Sequence, residues 1–163
     1  MKSVILVRHA KSSWDDAGVS DFDRPLNARG KEDAPKMAKR LIDRHITIDA
    51  FISSTAKRAR KTASIFMKEF EGDKDEIILV PELYLPATEA FYSAIANAPS
   101  KAKTIALFSH NPGITDFVND LTDVRVDDMP TCSIFAVKAD IQDWKQFKDA
   151  EKQYWFFDFP KAQ

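Results

Sequence analysis

The order of its segments predicts an α/β fold for this chain: one domain over residues 1–163, with a mostly parallel central sheet flanked by helices. Two observations carry this reading. Val4-Ile5-Leu6-Val7 and Thr104-Ile105-Ala106-Leu107-Phe108 are continuous apolar runs without alternation, the pattern of strands buried on both faces. Between such runs, apolar residues recur at helical spacing, so strands and helices alternate along the chain and favour a parallel sheet.

The elements follow in order. Val4 to Val7 is the first strand. Ala34, Met37, Ala38, Leu41 and Ile42 form one face of a helix, with Pro35 inside it or at its start. Ala50-Phe51-Ile52 is a short strand, and Ala59, Ala63, Phe66 and Phe70 form the next helical face. The charged stretch from Glu71 to Glu76 reads as a loop and Ile77 to Val80 as a third strand. Thr88 is a candidate cap for a helix running to about Asn97. After the strand at Thr104, Asn111 is expected to cap a helix through Leu121 with Pro112 at its first position. Ser133 to Lys138 and Tyr154 to Phe159 are expected as late strands.

Composition narrows the function classes. Hydrophobic residues are 44% and charged residues 30% of the 163, ordinary for a globular domain. The net charge of −1 gives no reason to expect a nucleic-acid or membrane partner. Cys132 is the single cysteine, so no internal disulfide forms, and a cytoplasmic location is the expectation. No apolar run approaches the ~18 residues of a membrane span, and Val4 to Val7 falls short of the roughly 7–15 of a signal-peptide core.

Ligands of open α/β sheets sit beyond the carboxyl ends of the strands. The residues just past the first strand are Arg8 and His9; those past the fourth are Ser109 and His110. Two of the three histidines thus occupy matching positions, while His45 reads as a solvated helix-end residue. The segment from Ser53 to Ala59 runs from a strand end into a helix start, which offers free backbone N–H groups to an anion. Arg58, in the first turn, can reach back over the sheet edge. Two guanidinium groups and two imidazoles converging there would make a phosphate pocket. Lys57, Arg60 and Lys61 read as a solvated basic face. Trp14, Tyr84 and Tyr92 are candidates for the pocket mouth or for packing.

Leu6-Val7-Arg8-His9-Ala10 resembles the RHG-type signature of the histidine phosphatase superfamily, the phosphoglycerate mutase-like proteins. Arg8 to Ser12, Arg24-Pro25-Leu26 and Gly30 are similar to its SixA-like branch of phosphohistidine phosphatases. Ser54 to Ala59 with Thr62-Ala63, Pro81-Glu82-Leu83 and Ser109-His110-Asn111-Pro112 continue the resemblance, which runs from Lys2 to about Phe135. It implies a phosphoglycerate mutase-like fold, His9 as the phosphorylated nucleophile, and Arg8, Arg58 and His110 around the phosphate. Arg24 is expected at the substrate. Ala10 stands where the superfamily usually has glycine. The glutamate that larger members use as general acid has no confident match; Asp21 matches a carboxylate proposed as acid in the branch.

An imidazole attacks phosphorus only when neutral, and nearby arginines disfavour the imidazolium. The arginines also hold the equatorial phosphate oxygens as charge redistributes. A leaving imidazole needs less protonation than a leaving alkoxide, so a weak acid would favour phosphoramidates. The expectation is a phosphatase of phosphorylated proteins, phosphohistidine-bearing above all. The alternatives are a phosphatase of small phosphoesters and a non-catalytic phosphate-binding module. A cysteine phosphatase fails, because six residues past Cys132 stands Lys138 and not arginine. Asp21-Phe22-Asp23 imitates the paired aspartates of a haloacid-dehalogenase-type enzyme but follows no buried strand. No cluster of ligands at metal-binding spacing appears, so neither metal nor cofactor is expected.

Overall fold

The computed structural model describes residues 1–162. Six strands form one sheet: β1 (Lys2–Arg8), β2 (Ala50–Ser53), β3 (Ile78–Leu79), β4 (Thr104–Ser109), β5 (Ile134–Ala139) and β6 (Lys152–Asp158). Their order across the sheet is β3-β2-β4-β1-β5-β6. The first four are mutually parallel, whereas β5 runs antiparallel beside β1 and β6 antiparallel beside β5. Four helices complete the fold: α1 (Ala28–Asp43), α2 (Lys57–Glu69), α3 (Thr88–Ala96) and α4 (Gly113–Leu121).

The apolar runs are continuous because helices cover both faces of the sheet. Ile5 and Val7 point into a core shared with Met37 and Leu41 of α1 and Phe66 of α2. Val4 and Leu6, one residue out of phase, enter the opposite core with Phe91 of α3 and Phe117 of α4. β4 divides in the same way, Ala106 and Phe108 to one side and Ile105 and Leu107 to the other. Each large side chain fully buried this way, such as Phe66, stabilises by about 1.5–3 kcal/mol.

This topology locates the chemistry. β1 and β4 are neighbours, yet the chain leaves β1 for α1 on one face and leaves β4 for α4 on the other. The carboxyl ends of two such strands border a crevice. Arg8 and Ser109 pair at that end, and Ser53 of β2 pairs with Phe108 beside them.

Several boundaries differ from the sequence expectation. α4 begins at Gly113 with Pro112 as its cap. The Asn111 side chain is engaged elsewhere, donating to Asp128 Oδ1 at 2.9 Å and the Met129 carbonyl at 3.0 Å. Ala87, not Thr88, caps α3. β3 shrinks to two residues at the sheet edge, and β6 begins at Lys152 because its pairing with β5 extends to Ala139. Pro35 lies inside α1, which continues through it. The Glu71 to Glu76 stretch holds a turn and one 3-10 turn at Lys74–Glu76.

Asn27 caps α1 by accepting from the Gly30 N–H at 2.9 Å. Gly30 is required by proximity: a Cβ there would lie 2.2 Å from the Lys11 carbonyl oxygen, two residues beyond His9. Gly30→Ala is therefore expected to destabilise by about 1–3 kcal/mol, as overpacking does. At roughly 2–4 °C per kcal/mol for a chain of this size, thermal unfolding will show the loss. An unchanged or raised Tm, as helix propensity alone would give, would contradict the close approach.

Candidate active site

His9 leaves β1 at its carboxyl end and is 6% exposed. Its Nδ1 lies 2.7 Å from the Ala10 carbonyl oxygen. A carbonyl can only accept, so Nδ1 carries the proton and Nε2 carries the lone pair. Arg58 Nε–H donates to that Nε2 at 3.3 Å, consistent with the same tautomer. The His9 pKa falls to about 3. Burial is the largest cause, followed by the charges of Arg58, Arg8 and Arg24. The arginines thus act in the expected direction, but desolvation does more.

His110 sits across from His9, with ring centroids 5.1 Å apart. Its Nε2 lies 2.7 Å from Ser54 Oγ. Its pKa falls to about 2, again mainly through burial, then through His9 and Arg58. Arg8 donates from Nη1 to the Met129 carbonyl at 2.8 Å.

Arg58 comes from the first turn of α2 and is 6% exposed. Its Nη1 donates to the Asp21 carbonyl at 2.6 Å and its Nη2 to Asp21 Oδ2 at 3.1 Å. The turn holding it is tied to the segment that carries His9, because Thr62 Oγ1 donates to the Arg58 carbonyl at 2.8 Å and accepts from the Ala10 N–H at 3.0 Å.

Asp21 lies at the mouth. Besides Arg58 it accepts from Arg24 Nε at 3.1 Å and from the Tyr84 hydroxyl at 2.5 Å. The Tyr84 hydrogen bond first, then Arg58 and Arg24, hold its carboxyl down at about 2. Asp21 thus rests as a carboxylate, with no proton to give. Arg24 reaches the site through Asp21; its Nη1 donates to Ser12 Oγ at 2.8 Å, and its guanidinium lies 3.4 Å from the centre of the Trp14 ring.

Among the described residues, three buried side-chain polar atoms have no hydrogen-bond partner: Arg8 Nε, His110 Nδ1 and Ser133 Oγ. Buried donors are almost always satisfied. Two of these belong to residues of the His9 cluster, and the Arg8 Nε–H fits a ligand that offers acceptor oxygens.

All the sequence-derived site residues are drawn into this one cluster: His9, Arg8, Arg58 and His110 at its floor, Asp21 and Arg24 at its rim. Sequence reasoning missed Thr62, the Met129 carbonyl and the anchoring role of Tyr84, and gave Ser54 no task of its own. Tyr84 and Ser54 had a signal, since each adjoins or lies in a matched motif; the Met129 carbonyl, a backbone group distant in sequence, had none. No group of three or more metal-ligating side chains forms among the described residues. Among them, too, no helix is long and apolar enough to cross a membrane.

Residues 4–84 match the family model of the histidine phosphatase superfamily, branch 1. The chain belongs to that superfamily. A chloroplast protein of Arabidopsis thaliana is 29% identical over 153 residues, covering 89% of this chain and 70% of its own. The mitochondrial serine/threonine-protein phosphatase Pgam5 of Drosophila ananassae is 38% identical over 77 residues, 47% of this chain but only 26% of that protein. Among solved structures, the Agrobacterium tumefaciens protein assigned as a phosphohistidine phosphatase SixA superposes with a TM-score of 0.82 at 28% identity, covering 98% of each chain. The fold is thus that of SixA, the phosphoglycerate mutase-like fold, and membership and likeness together support phosphatase activity.

The burial-lowered pKa of His9 has a visible consequence. A group whose charged form is disfavoured by folding takes up its proton only well below the unfolded value of about 6.5. The imidazole resonances of His9 are therefore expected to stay constant in NMR spectra from pH 7.5 to pH 5. Stability should fall over the same range, because the unfolded chain binds protons that the folded chain refuses. A charge titration of His9 centred near pH 6.5 would overturn the neutral nucleophile.

Proposed function

We propose that the chain is a metal-independent protein phosphohistidine phosphatase working through a phosphorylated His9. The observation that supports this most is the pairing of a fixed lone pair at His9 Nε2 with an unpaired buried N–H on Arg8 and an unpaired buried ring nitrogen on His110. His9 Nε2 attacks phosphorus; the new P–N bond forms as the P–N bond to the substrate imidazole breaks, and that imidazole, already protonated from solvent on its other ring nitrogen, leaves as the neutral ring. Water then attacks the phosphorus of phospho-His9, the P–N bond breaks, and inorganic phosphate departs. Covalent catalysis splits the reaction in two, and the guanidinium groups carry the charge of both transition states.

Arg58 has to exchange partners in the first step. Its guanidinium donates to His9 Nε2 and to Asp21. An arriving phosphoryl group offers three acceptor oxygens and draws the guanidinium to itself. Asp21 then loses a charge that holds it ionised, which raises its proton affinity and makes it a donor for leaving groups that need one. A leaving imidazole needs little, so the arrangement suits phosphoramidates.

The rim suits a protein. Trp14 is 75% exposed and Leu85 83%, on the segments that carry Arg24 and follow Tyr84. These apolar surfaces offer contact to a polypeptide around the phosphorylated residue, whereas a small ligand would need walls that enclose it.

The test is kcat/KM for a phosphohistidine peptide, p-nitrophenyl phosphate, 3-phosphoglycerate and an alkyl phosphate, with and without a chelator. The phosphohistidine peptide is expected to be preferred and the chelator to be without effect. Arg58→Ala should lower all rates about 10²-fold or more. Asp21→Asn should spare the phosphohistidine peptide and slow the alkyl phosphate by roughly 10²-fold, the low end of acid catalysis. A small phosphoester preferred over every phosphopeptide, or activity lost to chelator and restored by a divalent ion, would contradict the proposal.

A further inference from the structure

The first two turns of α2 hold Lys57, Arg58, Arg60 and Lys61 and no acidic residue in the first turn. This arrangement opposes helix stability. The amino end of a helix carries partial positive charge and disfavours cations, and Lys57 and Lys61, one turn apart, repel each other. Its cap, Ala56, has no side-chain hydrogen bond that would compensate. Arg58 is explained by the phosphate site. Arg60 donates from Nε to the Thr55 carbonyl at 2.7 Å, but neither that contact nor the phosphate site accounts for the gathering of Lys57, Arg60 and Lys61.

These three line a groove of about 490 Å³ with Lys74, Ile77 and Leu79 on its far wall. Asp75 is the one acidic residue at its edge. Among the described residues no ion pair involves Lys57, Arg60, Lys61 or Lys74. A chain of net charge −1 thus gathers uncompensated positive charge in one groove. The far wall ends in β3, the edge strand, where Leu79 is 49% exposed.

The groove opens beside the catalytic cluster. Lys57 directly precedes Arg58. Leu79 pairs with Ser53, next to the Ser54 that touches His110. From Lys57 to Ser64 the helix rises about 10 Å, the reach of roughly three residues of extended chain.

We propose that this groove binds an acidic, extended segment of the phosphorylated protein substrate, lying about three to six residues from the phosphorylated residue. The inference rests on the phosphoprotein reading above and adds to it a charge preference. A polypeptide fits better than a nucleic acid, because Ile77 and Leu79 supply aliphatic contact and no aromatic ring lines the groove for base stacking.

The probes are two synthetic fluorescent phosphohistidine peptides, identical except for glutamates or lysines three to six residues from the phosphohistidine. Binding is read by anisotropy with His9→Ala protein, so that the peptides survive and the result does not depend on turnover. The glutamate peptide is expected to bind about 10-fold more tightly at low salt, as several exposed charge pairs would give, and the difference should collapse at 500 mM salt. Lys61→Glu with Lys74→Glu should remove the preference while hydrolysis of p-nitrophenyl phosphate by the otherwise unaltered enzyme stays unchanged. Equal affinity for the two peptides overturns the proposal, as does loss of p-nitrophenyl phosphate hydrolysis with the charge reversals. A short single-stranded RNA that displaces the glutamate peptide at equal concentration would assign the groove to nucleic acid instead. Failure of the phosphatase reading shows separately, as absent hydrolysis of every phosphorylated probe.

Discussion

The hydrogen bond from His9 Nδ1–H to the Ala10 carbonyl, 2.7 Å long, is the contact on which the site depends. It decides which ring nitrogen keeps the lone pair and where that nitrogen points. It exists because β1 is buried on both faces and cannot shift: the strand is paired with β4 on one side and β5 on the other along its length. The backbone after it is held as well, with the Cys132 N–H donating to the Arg8 and His9 carbonyls at 3.1 and 3.0 Å. The most constrained strand of the fold thus sets the geometry of its most reactive atom.

A second constraint is electrostatic. Arg8, Arg24 and Arg58 surround a neutral imidazole and repel one another. The fold tolerates them because each has an acceptor: the Met129 carbonyl for Arg8, and the Asp21 carboxylate for Arg24 and Arg58. Tyr84 helps to keep that carboxylate ionised. In the proposed mechanism a phosphoryl group draws Arg58 away from Asp21, and the discrimination between leaving groups follows from that exchange, since the proton affinity of Asp21 depends on which anion holds Arg58.

Most of the fold was legible in the sequence because its central strands are buried on both faces and leave unbroken apolar runs. The edges were less so. β5 and β6 alternate less clearly, and nothing local says that they join the sheet antiparallel. The helix caps expected at Thr88 and Asn111 each lie one residue from the observed cap; at Asn111 the reason is that its side chain is captured by Asp128 and Met129, groups that only the tertiary structure brings near. The floor of the site could be read from two strand ends and one helix start. The state of Asp21 could not, since its charge depends on Tyr84, 63 residues away.

The most direct test of this account concerns the position of the phosphate on the ring. Rapid quench with labelled substrate should trap an alkali-stable, acid-labile phosphohistidine at His9, and NMR and mass spectrometry of the isolated peptide can assign its isomer. The account predicts phosphate on Nε2 alone, because the Ala10 carbonyl occupies Nδ1. Phosphate on Nδ1, or equal labelling of a His9→Ala protein, would contradict it.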